Sequence, residues 1–182
     1  MDLVRSLAEL DEVPELHAAR LLILLRAFAG VDGLGRIQGL TKLAKLDFLL
    51  RYPVMLERAL LAKKKSTREV KLEEHERSSV ESEMVRYRFG PWDHRYRTIL
   101  NLLISKGLVE TSIEGRTISI GLTAAGLEAS GLLTDQEAFE PHARRSILLH
   151  RHFDMTATNL MRFIYETFPE VLTLRANAPI RL

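Results

Sequence analysis

Apolar residues recur at helical spacing through most of this chain. Leu21, Leu24, Leu25 and Phe28 fall at the intervals of an amphipathic helix, and Leu22 and Ile23 widen the stripe. A central helix is therefore predicted from Pro14, tolerated in a first turn, to Ala29, where Gly30 stops it. A second helix over Leu40–Arg51 carries Leu40, Leu43, Ala44, Leu46 and Leu50 on one face. It ends ahead of Pro53, whose ring disfavours helix in the residue before it. Val54–Ala62 continues as a third. Further on, a short extended segment leads into a helix from about Pro91 to Lys106, with Tyr96, Ile99, Leu100 and Leu103 inward and Gly107 as its stop. The β-prone runs Leu108–Ile113 and Arg116–Ile120 flank Glu114-Gly115, a hairpin signal. A short helix follows over Thr123–Leu133. Thr134 with Glu137 forms a capping box for the next helix, whose start Pro141 interrupts or moves. Thr156–Thr167, with Leu160, Phe163, Ile164 and Phe168 as its stripe, is the last helix before Pro169. The tail beyond it packs on the domain or extends as a strand or strap.

These elements make the chain mainly α with a small β-hairpin. A winged-helix-like domain occupies residues 1–133, and a C-terminal helical extension and tail occupy 134–182. The length suits one domain with elaborations or one domain with a small helical appendage.

Polar patterning adds two departures. Val31–Gly39 holds three glycines, but Gly33-x-Gly35-x-x-x-Gly39 is not the dinucleotide fingerprint and follows a helix, so it reads as a flexible connection. Ala62–Glu83 almost lacks large apolar residues. It begins basic (Lys63, Lys64, Lys65, Arg68) and turns acidic (Glu73, Glu74, Glu76, Glu81, Glu83). A loop this long is either a solvated, mobile excursion or a segment that orders against a phosphate backbone or a partner protein.

Composition narrows the chemistry. Cysteine is absent, which excludes disulfides, thiolate zinc sites and a cysteine nucleophile. No apolar run is long enough to span a bilayer, the best being cut by Arg20 and Arg26. The first residues have no signal-peptide apolar region, so a cytoplasmic protein without a membrane partner is expected. The net charge is only +2, mild for a dedicated nucleic-acid binder unless the charge is concentrated on one face.

Candidate sites are few. Asp47 falls on the apolar face of its helix, which costs free energy unless it is paired; Arg51, four residues on, is in reach for a structural ion pair. His150-x-His152-x-Asp154, with His142 upstream, tempts a metal reading, but its local pattern is helical, and histidines at a helix end suit the dipole. Arg86, Arg88, Arg95, Arg97 and Arg116, with His94 beside them, are nucleic-acid candidates through a helix in the major groove and a hairpin on the backbone, and Lys63, Lys64 and Lys65 of the excursion are further ones. Tyr87, Trp92 and Tyr96, mixed with arginines, are the protein-docking candidates. No P-loop, nucleophile elbow or paired-acid spacing occurs, so no catalytic residue and no cofactor is assigned.

Four pieces in order, GRIQGLTKLAKLDFLLRYP, the charged excursion, VRYRFGPWDHRYRTILNLLISKGLVE with GRTISIGLTAAG, and NLMRFIYETFPE, resemble the middle component of bacterial three-component ABC-type systems. That group includes the small subunit of Lamassu-like anti-phage defence complexes. KLDFLLRYP (Lys45–Pro53) and RYRFGPWDHRYR (Arg86–Arg97) are its most specific pieces, and the pattern runs from about residue 16 to 170. A looser similarity is to antitoxin-like winged-helix domains. The resemblance implies a non-enzymatic accessory subunit that associates with an SMC- or Rad50-like ATPase and with a nuclease-type effector, ATP and magnesium belonging to the ATPase. Duplex DNA is a further expected contact within such a complex. Lys42, Lys45, Asp47, Arg51 and Tyr52 in the first piece, and Arg86, Tyr87, Arg88, Trp92, Asp93, His94, Arg95 and Tyr96 in the second, are the motif residues it singles out. The other reading is a DNA-binding winged-helix regulator or antitoxin.

Overall fold

A computed structural model describes residues 13–74, 76, 85–87, 90–92 and 95–170, with the backbone alone for 85–87, 90–92 and Glu114. Its helices are α1 (Pro14–Ala29), α2 (Leu40–Arg51), α3 (Pro53–Ala62), α4 (Tyr96–Ser105), α5 (Ala124–Thr134), α6 (Glu140–Phe153) and α7 (Ala157–Thr167). Its strands are β1 (Ile37–Gln38), β2 (Val85–Tyr87), β3 (Gly90–Trp92), β4 (Val109–Glu114) and β5 (Thr117–Leu122). The fold is mainly α around a small antiparallel sheet ordered β1-β5-β4, the winged-helix arrangement with helices added after it.

Each helix end has a local cause. Pro14 sits in the first turn of α1, and Gly30 leaves it at φ 72°. Thr123 and Thr156 cap α5 and α7 by accepting from the Gly126 and Asn159 amides. Three sequence expectations change. The glycine-rich connection contains a strand, β1, whose Ile37 pairs with Ile120 and is fully buried. Gly35 lets this strand run tight against α1, since a Cβ there would stand 2.0 Å from the Phe28 carbonyl oxygen. The helix expected from Pro91 begins at Tyr96, because Gly90–Trp92 pairs antiparallel with Val85–Tyr87. Thr134 ends α5 instead of capping the next helix. Its hydroxyl donates back to the Gly131 carbonyl, and α6 starts beyond a 3₁₀ turn with Pro141 in its first turn.

One hydrophobic core runs through the described residues. It takes Leu21, Leu24 and Phe28 from α1, Leu43, Leu46 and Phe48 from α2, and Leu56 and Leu60 from α3. The helices after residue 134 share it through Leu149, Phe153, Leu160, Ile164 and Phe168. Residues Lys42 to Arg51 of α2 are all buried, since this helix is packed by β1, β3, α3, α6 and α7. The charged excursion is docked as far as it is described. Its 3₁₀ turn, Arg68–Val70, lies on α6 with Val70 fully buried. Residues 77–83 lie outside the described residues.

Candidate functional site

The most concentrated polar chemistry lies inside the core. Asp47 is 0 % exposed. Its Oδ1 accepts from Arg20 Nε of α1 at 2.9 Å, and its Oδ2 accepts from the Tyr96 hydroxyl of α4 at 2.5 Å. His17 Nε2, one turn before Arg20, is 3.5 Å from Oδ2. Burial alone would raise the carboxyl pKa. The Arg20 guanidinium, then His17 and Arg51, more than reverse this and hold it well below the usual carboxylate range. Tyr96 moves the other way: burial and the facing carboxylate keep its hydroxyl protonated far above the ordinary phenol range. The anion is thus permanent and tied to α1 and α4 by direct bonds. Arg51, which its spacing nominates as the partner, contributes through its charge.

Another buried cation anchors a separate cluster. Arg145 of α6, 3 % exposed, closes a fork on Glu76 at 2.6 and 2.7 Å. It also donates to the Val70 and Lys71 carbonyls at 3.1 and 3.3 Å, which fastens the excursion to α6. Half-buried His142 lies in the field of both clusters. Burial, Arg20 and Arg145 lower its pKa to about 4, against Asp47 and Glu76. Lys45 is fully enclosed; burial lowers its pKa to about 8, and its ammonium donates to the Thr41 carbonyl at 3.4 Å. Lys42 Nζ reaches Asp154 at 2.7 Å beside the Phe28 ring.

The two most specific sequence motifs therefore meet at the bond between Asp47 and Tyr96. Lys42, Lys45, Asp47, Arg51 and Tyr52 are all buried, so the first motif is a core motif. Tyr96 is corrected from a docking candidate to a core residue, because it is 0 % exposed and its hydroxyl is used internally. The nucleic-acid candidates divide. Lys63, Lys64 and Lys65 follow α3 at the end of α6, where Lys63 Nζ lies 5.2 Å from the Phe153 ring centroid. Arg97 is exposed in the first turn of α4, Arg116 is exposed at the hairpin tip, and Arg95 is half-buried before α4. The side chains of Arg86, Tyr87 and Trp92, and all of Arg88, Asp93 and His94, lie outside the described residues. His150 and His152 stand in the last turn of α6, and no group of three metal-ligating side chains occurs among the described residues.

Sequence reasoning missed His17, Arg20 and Arg145, and it grouped His142 with His150 and His152 where the structure sets it in the field of Asp47 and Glu76. The signal for the first two was there: a histidine and an arginine one turn apart on an otherwise apolar helix call for a buried anion. No described helix is long and apolar enough to cross a membrane. No family model, curated protein or solved structure matches the chain.

Proposed function

We propose that the chain is a non-catalytic accessory subunit bridging an SMC- or Rad50-like ABC ATPase and a nuclease-type effector in a bacterial anti-phage defence complex. The observation that carries this reading is the wing. Val109, Thr111 and Ile113 of β4 oppose Leu122, Ile120 and Ile118 of β5, so the core-facing row continues outward into Ile113 and Ile118. Ile113 is 79 % and Ile118 49 % exposed. The hairpin's charges are Glu110, which is paired with Arg36, Glu114 and Arg116, so the hairpin has no excess of cations. A wing that grips phosphates offers cations; this one offers apolar surface, which suits a protein partner. The polar network, in turn, is enclosed and braces three helices, a structural use of charge. ATP and magnesium belong to the ATPase in this reading.

Co-expression of the three chains tests it. The tagged subunit is expected to carry the ATPase and the effector at fixed stoichiometry. Ile113→Glu with Ile118→Glu is expected to release a partner without lowering the melting temperature. A tagged chain that purifies alone from cells making all three would sink the proposal. A second reading, a DNA-binding winged-helix regulator or antitoxin, is favoured by exposed Arg97 and Arg116 on the helix and hairpin. It requires low-salt duplex binding that is lost when those two charges are removed.

A further inference from the structure

A cluster of positive charge stands at the corner where α3 and α6 both end. Lys63, Lys64 and Lys65 follow α3, Arg68 opens the 3₁₀ turn, and Arg151 and His152 stand in the last turn of α6. Lys63 Nζ lies 5.2 Å and 5.7 Å from the ring centroids of Phe153 and Phe163, which pins the lysine run beside His152. Arg151 reaches back to Glu69 at 2.9 and 3.2 Å. Lys64, Lys65, Arg68 and Arg151 are exposed. Five permanent cations against Glu69 leave +4 here, whereas the whole chain carries +2, so the remaining residues sum to −2.

These cations press on one another. Burial and then Lys65 lower the Lys63 pKa. Burial, Arg151, Lys65 and Lys63 lower that of His152, with Glu69 opposing. A surface whose cations disfavour each other's protonation gains from an added anion. The cations ride on solvent-exposed side chains from two helix ends and the turn between them, so they suit a ligand that lies along the surface and meets them in series. A phosphodiester strand has that form, and its binding releases counterions for each cation it meets.

We infer that the corner formed by Lys63, Lys64, Lys65, Arg68, Arg151 and His152 is a binding site for the phosphate backbone of nucleic acid, separate from the wing. The site stands independently of the bridging role, which is judged by co-purification. The test is fluorescence anisotropy of the full chain with a labelled random-sequence duplex. Lys64→Glu with Lys65→Glu spares Lys63, which is packed on the two rings. With about four phosphates engaged, raising salt from about 50 to 200 mM weakens binding about 100-fold; losing two contacts weakens it about 10-fold at fixed salt and halves the salt slope. Arg97→Glu with Arg116→Glu is expected to change affinity less than about twofold, being away from the corner. The imidazole of His152, followed by NMR, is expected to titrate at higher pH with duplex bound. No anisotropy change at low salt would overturn the inference. So would loss of binding in the wing variant with the corner variant unaffected. A polyglutamate peptide that displaces the duplex at equal charge concentration would overturn it too, by assigning the corner to an acidic protein segment.

Discussion

Asp47→Asn keeps the shape of the buried side chain and removes its charge. The carboxylate accepts from Arg20 at 2.9 Å and from Tyr96 at 2.5 Å, and it lies in the field of Arg51, with both arginines nearly fully buried. Breaking a buried pair from one side costs about 3–5 kcal/mol. That is a large part of the ~5–15 kcal/mol that holds a domain together. For a chain of this size each kcal/mol moves the melting temperature by about 2–4 °C, so a fall of about 6–20 °C is expected. Urea unfolding followed by far-UV circular dichroism measures the difference directly. The pH dependence supplies the sign. The folded carboxyl titrates well below its unfolded value of about 3.9, so its stabilisation is complete above that value and is lost as pH falls below it. Wild type and Asp47→Asn should therefore converge as pH is lowered from about 5 toward 2. The triple variant Asp47→Leu, Arg20→Met, Tyr96→Phe removes the anion together with both groups bonded to it, and it should lose less stability than Asp47→Asn. An Asp47→Asn protein within about 1 kcal/mol of wild type at neutral pH would refute the claim that this anion braces α1, α2 and α4.

His142, held near pKa 4, is protonated in the unfolded chain first, so stability should fall as pH drops from about 6.5 toward 4. His142→Gln should flatten that part of the melting-temperature profile. Arg145→Met removes the fork on Glu76 and the bonds to the Val70 and Lys71 carbonyls. A loss on the order of 3 kcal/mol in local docking corresponds to about 100-fold more opening, and trypsin should then cut after Lys65, Arg68 and Lys71 well before it attacks the helices. Gly126→Ala places a Cβ 1.9 Å from the Leu108 carbonyl oxygen and should cost about 1–3 kcal/mol by chemical denaturation. Gly131→Ala, where the nearest atom is the Arg26 guanidinium at 3.5 Å, should be neutral or slightly stabilising.

The parts of the fold readable in the sequence are those with local causes. α1, α2 and the hairpin follow from 3.6-residue and two-residue periods, with Gly30 and Pro53 closing the two helices and Gly115 turning the hairpin. β1 was not readable, because two residues carry no period and Ile37 is a strand residue only through its pairing with Ile120. The start of α4 moved for the same reason, Gly90–Trp92 being claimed by Val85–Tyr87. The partners of Asp47 show how a sound local rule names only part of a buried network, Arg51 acting through its charge while the bonds come from elsewhere. Spacing of four residues brings side chains together on a helix face that looks into solvent. α2 has no such face, since Lys42 to Arg51 are all buried, and its polar groups are met by whatever packs against them. The anion therefore finds Arg20, 27 positions upstream, and Tyr96, 49 positions downstream.

This distinction bears on how the motifs are read. A run such as LTKLAKLDFLLRYP invites the view that its lysines, acid and arginine face a partner. Each of Lys42, Lys45, Asp47 and Arg51 is at most 3 % exposed, so that view fails for all of them. A carboxylate that joins three helices in the interior sets how those helices stand, because Arg20 and Tyr96 can both reach it in only a narrow range of helix positions. The orientation of α4, and with it the hairpin that follows, is then fixed from inside the molecule. The exposed apolar residues of the wing are Ile113 and Ile118; where they stand depends, through α4, on the bond between Tyr96 and Asp47.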